Sequence, residues 1–159
     1  CQKKNWDDAY RVARQIVDRF PDFQDRYEVD YVIGRCLSAE GDFQAARQAY
    51  LRVIESAEGR STETAAKAQL MIAESHYHQK DYQEALRAYL RLEILYAYPE
   101  LQAAAVFQAG KCRELRGEWR DAVKLYDRLS RDYPDNNWTK EVAQRRAEAD
   151  RRARAQQGT

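Results

Sequence analysis

Asn5-Trp6-Asp7-Asp8-Ala9, Asp42-Phe43-Gln44-Ala45-Ala46, Asp81-Tyr82-Gln83-Glu84-Ala85 and Glu118-Trp119-Arg120-Asp121-Ala122 are four versions of one phrase. Each runs from a polar residue through an aromatic and two mostly polar residues to an alanine. The alanines are 37, 39 and 37 residues apart. A period of that size indicates stacked supersecondary units, each sharing its core with its neighbours. The polar leader stands where a helix begins, so that its side-chain oxygen can accept an orphan backbone N–H; Glu118 is the weakest cap of the four. Asp8, Glu84 and Asp121 follow three residues later, close to a capping box and favourable to the helix dipole. Gly41 and Gly117 precede two leaders and would end the helix before them. Lys4 and Lys80 hold that place in the other two, so the turn does not strictly require glycine.

On the C-terminal side of the phrase, the aromatic (Trp6, Phe43, Tyr82, Trp119) gives the second helix of a hairpin a bulky anchor. The alanine marks a close helix crossing. Tyr50, Tyr89 and Tyr126 lie four residues beyond three of the alanines, and Val53, Leu92 and Leu129, with Ile16, continue the same face. Pro21, Pro99 and Pro134 are expected to close second helices. Upstream, first helices are expected over 27–39, 65–78 and 103–115. They share a small residue at Gly34, Ala73 and Gly110, and another at Cys36, Ser75 and Cys112. A mid-helix glycine costs about 1 kcal/mol relative to alanine, so two at one register point to close packing. Residues 138–156 read as a solitary helix whose apolar face (Trp138, Val142, Ala149, Ala153) fades as arginines accumulate, the pattern of a solubilising cap.

Composition narrows the function classes. Among 159 residues, 27 basic and 26 acidic side chains leave a formal net charge of +1. That balance gives no electrostatic reason to expect nucleic acid or an anionic membrane as partner. No stretch approaches the roughly 18–20 apolar residues that span a bilayer. Helix formers dominate and β-branched runs are missing, so the fold class is all-α. Three cysteines at wide spacing are no disulfide framework, and Cys36 and Cys112 read as small buried hydrophobes. Their usage leans weakly towards a reducing compartment. His76 and His78, two apart on a helix, point about 200° apart and cannot chelate one metal. Phosphate loops, nucleophile elbows and Cys-x-x-Cys pairs are missing, so no catalytic residue, cofactor or metal site is expected.

These features resemble the tetratricopeptide repeat: a small residue on the first helix, an aromatic and an alanine on the second, then a closing proline. The resemblance implies a right-handed α-solenoid of helix–turn–helix repeats filling 1–159 as one domain. Residues 1–21 would be the second helix of a truncated repeat, 22–58, 59–99 and 100–135 full repeats, and 136–157 a capping helix. The sequence departs from the family in lacking an early first-helix tryptophan, in placing Glu58 and Ala97 where a closing proline belongs, and in exceeding the usual 34-residue period. Its 37-residue spacing and the endings Tyr98-Pro99 and Tyr133-Pro134 are similar to the bacterial cell-envelope branch. That branch includes the Tol–Pal coordinator and the repeat lipoprotein of the barrel-assembly machinery. It implies a periplasmic or envelope location, with the cytoplasm as the alternative. Cys1 falls inside what would be a first helix, which suits a fragment of a longer protein; a lipid-bearing N-terminal cysteine is the lesser alternative.

The resemblance further implies a non-catalytic scaffold whose concave groove binds a peptide or partner helix. Its groove positions are Tyr31, Arg35 and Ser38, then Leu70, Glu74, Tyr77 and His78, then Phe107, Lys111 and Glu114. Glu74 and the want of asparagine there disfavour a carboxylate clamp. Arg145, Arg146, Arg151 and Arg152 form a possible basic docking surface for an acidic partner. A self-associating structural segment and a regulatory region of a larger enzyme are the alternative functions.

Overall fold

The computed structural model describes residues 2–157, with side chains described from Asn5 onward; the lipid-anchor reading of Cys1 lies outside them. These residues form eight helices and no strand: α1 (Gln2–Arg19), α2 (Arg26–Glu40), α3 (Phe43–Glu55), α4 (Glu63–His78), α5 (Tyr82–Leu95), α6 (Pro99–Leu115), α7 (Trp119–Asp132) and α8 (Thr139–Ala155). Helices α1–α4 make one compact unit and α5–α8 another. Within each, a helix packs chiefly on its neighbours in sequence, as antiparallel hairpins do.

Helix starts follow the phrase at two leaders. Asp42 accepts from the Ala45 N–H at 3.0 Å and Asp81 from the Glu84 N–H at 3.3 Å. Glu118 makes no cap hydrogen bond. Its carboxylate is taken instead by Arg116 at 2.7 Å and by Arg113, which together hold its pKa below the usual carboxylate range. Asp8, Glu84 and Asp121 pair one turn onward, with Arg11, Arg87 and Lys124. Two expectations need correction. Asn5 lies inside α1 rather than at its cap; Gln2, Lys3 and Lys4 are good helix formers, and no left-handed residue precedes it to break the helix. Pro99 opens α6 rather than closing α5, which has already ended at Leu95. At a first helical position the missing N–H leaves no bond unmade, and the ring presets φ. Pro21 and Pro134 do follow the ends of α1 and α7.

The reversals before the leaders use the left-handed region, at Gly41 (φ 85), Gly117 (φ 72) and Lys80 (φ 62). Lys80 carries the steric cost that glycine avoids there.

The repeated glycine and tyrosine meet. A Cβ on Gly34 would stand 2.4 Å from Cε1 of Tyr50, and one on Gly110 would stand 2.5 Å from Cε1 of Tyr126. Both rings are fully buried. Their hydroxyls are also held, Tyr50 by Ser38 at 3.1 Å and Tyr126 by Glu114 at 2.6 Å, so neither ring can swing aside. Ala13, Val29, Ile33 and Ala49 pack together in the N-terminal unit. In the C-terminal unit Val106, Phe107, Ala122, Leu129, Val142 and Ala149 do so.

Two substitutions test this account. Gly110→Ala gains helix propensity of about 1 kcal/mol, but overpacking against Tyr126 costs about 1–3 kcal/mol, so urea melts should show a net loss. The further change Tyr126→Leu should recover part of it. Lys80→Gly should raise stability by about 0.5–1 kcal/mol by relieving the left-handed strain; an unchanged midpoint would remove strain as an explanation.

Candidate functional site

In the N-terminal unit, α2 and α4 lie against each other. Tyr31 and Arg35 share one face of α2, and Leu70, Glu74 and Tyr77 share one face of α4, because residues three or four apart stack along a helix. Tyr31 is half-buried, its ring centroid 5.9 Å from that of Tyr50. Arg35 is exposed, its guanidinium carbon 5.6 Å from the centroid of the Trp6 ring on α1. Leu70, Glu74 and Tyr77 are half-buried and His78 is exposed. His78 stacks on Phe43 at 5.7 Å with an interplanar angle of 11°, and its Nε2 lies 3.9 Å from a Glu74 oxygen, an ion pair only when the imidazole is protonated. Arg47 of α3 donates to Ser75 at 3.2 Å and to Gln79 at 2.6 Å, fixing the end of α4 on which Tyr77 and His78 stand. The surface therefore offers aromatic area with a cation and an anion beside it.

The C-terminal unit treats its positions differently. Phe107 is only 3% exposed. Trp138 stacks on it at 5.3 Å and 13°, with Lys111 Nζ 5.5 Å and the Arg145 guanidinium 6.0 Å from its centroid. Its ring is thus covered by the segment leading into α8, not offered to solvent. Spacing could not show this, since the covering residue lies 31 positions away.

Ser38 and Glu114, at the same register, turn inward to hold tyrosine hydroxyls. Burial pushes the Tyr50 hydroxyl up to about 12. Burial, and then the Glu114 carboxylate, raise Tyr126 well above an ordinary phenol. Glu114 also accepts from Arg145 at 2.8 Å, and Arg145 reaches Glu141 at 2.9 Å. This Tyr126–Glu114–Arg145 chain joins α7, α6 and α8. It was missed in the sequence, although a polar residue four beyond each glycine was its visible sign.

The remaining arginines of the possible basic surface are also engaged. Arg146 pairs with Asp127 at 2.9 Å, while Arg151 and Arg152 both pair with Glu148. Arg152 additionally lies 4.8 Å from the Trp119 ring centroid. Local carboxylates therefore offset much of the positive field there. Among the described residues no group of three or more His, Cys, Asp or Glu could hold a metal ion, and none of the helices is long and apolar enough to cross a membrane. Cys36 and Cys112 are buried free thiols, and burial raises the pKa of Cys36.

Partly buried and exposed arginines should respond differently. Arg145→Gln removes the charged hydrogen bond to Glu114 and should cost about 1–3 kcal/mol. Arg151→Gln, on an exposed pair, should stay within about 0.5 kcal/mol of the parent in the same urea melts.

Comparison with known families agrees with this architecture. A tetratricopeptide repeat family matches residues 2–61 and 39–100, and a second one matches residues 104–136. No curated protein matched the sequence. With hairpins of this form and matches over most of its length, the chain belongs to the tetratricopeptide repeat family, whose repeats generally mediate protein–protein interactions.

Proposed function

We propose that the chain is a non-catalytic scaffold that captures a peptide or helix of another protein on the α2–α4 surface, around Tyr31, Arg35, Leu70, Glu74, Tyr77 and His78. One observation carries the reading: half-buried tyrosines on adjacent first helices, flanked by Arg35 and Glu74, with the exposed His78 beside them. Aromatics and arginine dominate the energetics of protein interfaces, and single charges of each sign fix the register of a bound segment. Within the C-terminal unit, Lys111 holds the same register on α6. Phe107 lies beneath Trp138, and Arg145, Arg146, Arg151 and Arg152 are paired with carboxylates of their own unit.

The finer setting is part of the same proposal. The 37-residue spacing and the Tyr-Pro endings favour a bacterial envelope assembly of the Tol–Pal coordinator or barrel-assembly kind. The family match over 39–100 runs through the junction between the two units and supports reading 1–159 as one repeat domain.

Cross-linking with mass spectrometry in native extract would identify the captured protein and the residues that touch it. With that partner in hand, the double variant Tyr31→Ala/Tyr77→Ala should weaken binding by roughly 30-fold, the loss expected when about 2 kcal/mol of interface aromatic contact is removed. Circular dichroism should remain that of the parent. Full-strength binding by a folded double variant would remove the α2–α4 surface from consideration.

A further inference from the structure

We propose that the cavity between the start of α6 and the end of α7 is a docking site that takes an arginine side chain of another protein. The repeat itself builds the cavity. One of about 330 Å³ opens there, and another, of about 470 Å³, opens between the start of α2 and the end of α3. The two stand at one register. Gln24, Tyr27 and Ser56 line the N-terminal cavity where Glu100, Ala103 and Asp132, two repeats on, line the C-terminal one. Each lies within its own unit. Both hairpins have packed neighbours on either side: α1 and α4 flank α2–α3, and α5 and α8 flank α6–α7. The cavity is therefore a feature of the hairpin and not of an edge of the stack. The end of α8 is remote from it, since Gln156 donates to the Gly117 carbonyl at 3.3 Å, beyond the far end of α6. A helix of that length spans about 25 Å.

Differences at that shared register select the occupant. Gln24 and Ser56 give way to Glu100 and Asp132, and the connection to α8 adds Asp135. Arg26 and Arg52 line the N-terminal cavity, whereas no basic residue lines the C-terminal one. Lys140 and Arg145 belong to a neighbouring depression on α8, beside Glu141. Asp132 is already engaged by Arg131, at 2.7 and 3.1 Å. Glu100 and Asp135 make no side-chain hydrogen bond or ion pair among the described residues, so both are open to an incoming cation. The positive end of α6 and the negative end of α7 meet at the cavity and offset each other, which leaves the carboxylates to set its sign. Tyr133, Trp138 and two prolines complete the wall. Trp138 is fixed by its stack on Phe107, and Asn136 ties down the loop that carries both rings. It donates to the Tyr133 carbonyl at 2.7 Å and accepts from the Trp138 N–H at 2.8 Å. A guanidinium presents a flat face to aromatic rings and a fork of N–H donors to carboxylates, whereas an ammonium is a point charge. A preordered wall of rings and carboxylates therefore favours arginine. The cavity volume lies at the small end of the roughly 300–1,000 Å³ usual for ligand pockets, which suits one side chain and not a helix.

The test titrates the isotope-labelled full chain, followed by NMR, with three blocked pentapeptides that differ only at the central residue: arginine, citrulline or glutamate. Citrulline keeps the shape of arginine without its charge. The arginine peptide should shift the Trp138 indole N–H and the backbone amides around Tyr133 to Trp138. It should bind roughly tenfold tighter than the citrulline peptide, the share of one charge-assisted hydrogen bond. The glutamate peptide should shift neither set. Glu100→Gln/Asp135→Asn, which leaves the rings in place, should weaken binding of the arginine peptide by roughly the same factor with unaltered circular dichroism. If that variant unfolds, the citrulline comparison and the map of shifts decide. Tyr31→Ala/Tyr77→Ala should leave peptide binding unchanged, which separates this site from the α2–α4 surface; lost binding in that folded variant would overturn the proposal. Equal affinity for arginine and citrulline, full binding by the folded acid variant, or shifts centred on the N-terminal cavity around Arg26 would also overturn it. So would tighter binding of the glutamate peptide, or a dimer in sedimentation that the acid variant dissociates, since a second copy would then be the occupant.

Discussion

In α3 and α7 a fully buried tyrosine lies with its ring where the Cβ of Gly34 or Gly110 would otherwise be, and the close approach of α2 to α3 and of α6 to α7 follows from that contact. The remainder of each hairpin depends on it. A ring buried so deeply takes its hydroxyl along, and a buried hydroxyl without a partner costs about 1–3 kcal/mol. The residue four beyond the glycine supplies that partner, as Ser38 in one unit and Glu114 in the other. Serine settles the matter locally. Glutamate brings a charge that needs its own counterion, and Arg145 of α8 meets it. With Arg145 in place, Trp138 lies over Phe107. The position of the last helix is thus traceable, contact by contact, to a glycine on α6.

The recurring columns are legible in the sequence, because periodic burial leaves a periodic sequence. Six of the residues at the tyrosine column and the column after it, Tyr50, Tyr89, Tyr126, Val53, Leu92 and Leu129, are completely buried. The weak cap at Glu118 was also legible, since its side chain is longer than those preferred at an N-cap. Two local readings failed where one residue type serves two roles. Proline suits the first position of a helix as well as the stretch after one, and Pro99 takes the first role. An asparagine can cap a helix only if the chain before it is not already helical, and Asn5 has helix formers upstream.

The groove positions were only half legible, for a physical reason. Register along a helix says which side chains share a face but not what a later segment lays over that face. Tyr31 and Phe107 occupy equivalent positions, yet one is half-buried and the other lies beneath Trp138. The arginines of α8 teach the same lesson. Their number suggested a basic surface, whereas Glu114, Asp127, Glu148 and Asp150 engage them at or within a single helix-to-helix distance. Counting charges does not report pairing: Glu148 and Asp150 pair within α8 itself, whereas Glu114 and Asp127 reach Arg145 and Arg146 from α6 and α7.

Positions where a repeat abandons its own pattern show which contacts differ from hairpin to hairpin. A column that recurs is already explained by packing, since each unit needs the same side chain to bury the same neighbour. Ala13 is the informative exception. It stands where α3, α5 and α7 place tyrosine. In the α2–α3 and α6–α7 hairpins the tyrosine requires glycine opposite, and Ala73 holds that register on α4. At Ala13 no ring intrudes, and Val29 and Ile33 of α2 pack with it directly. The α1–α2 contact therefore rests on aliphatic side chains meeting a small residue, where the α2–α3 and α6–α7 contacts rest on a buried ring.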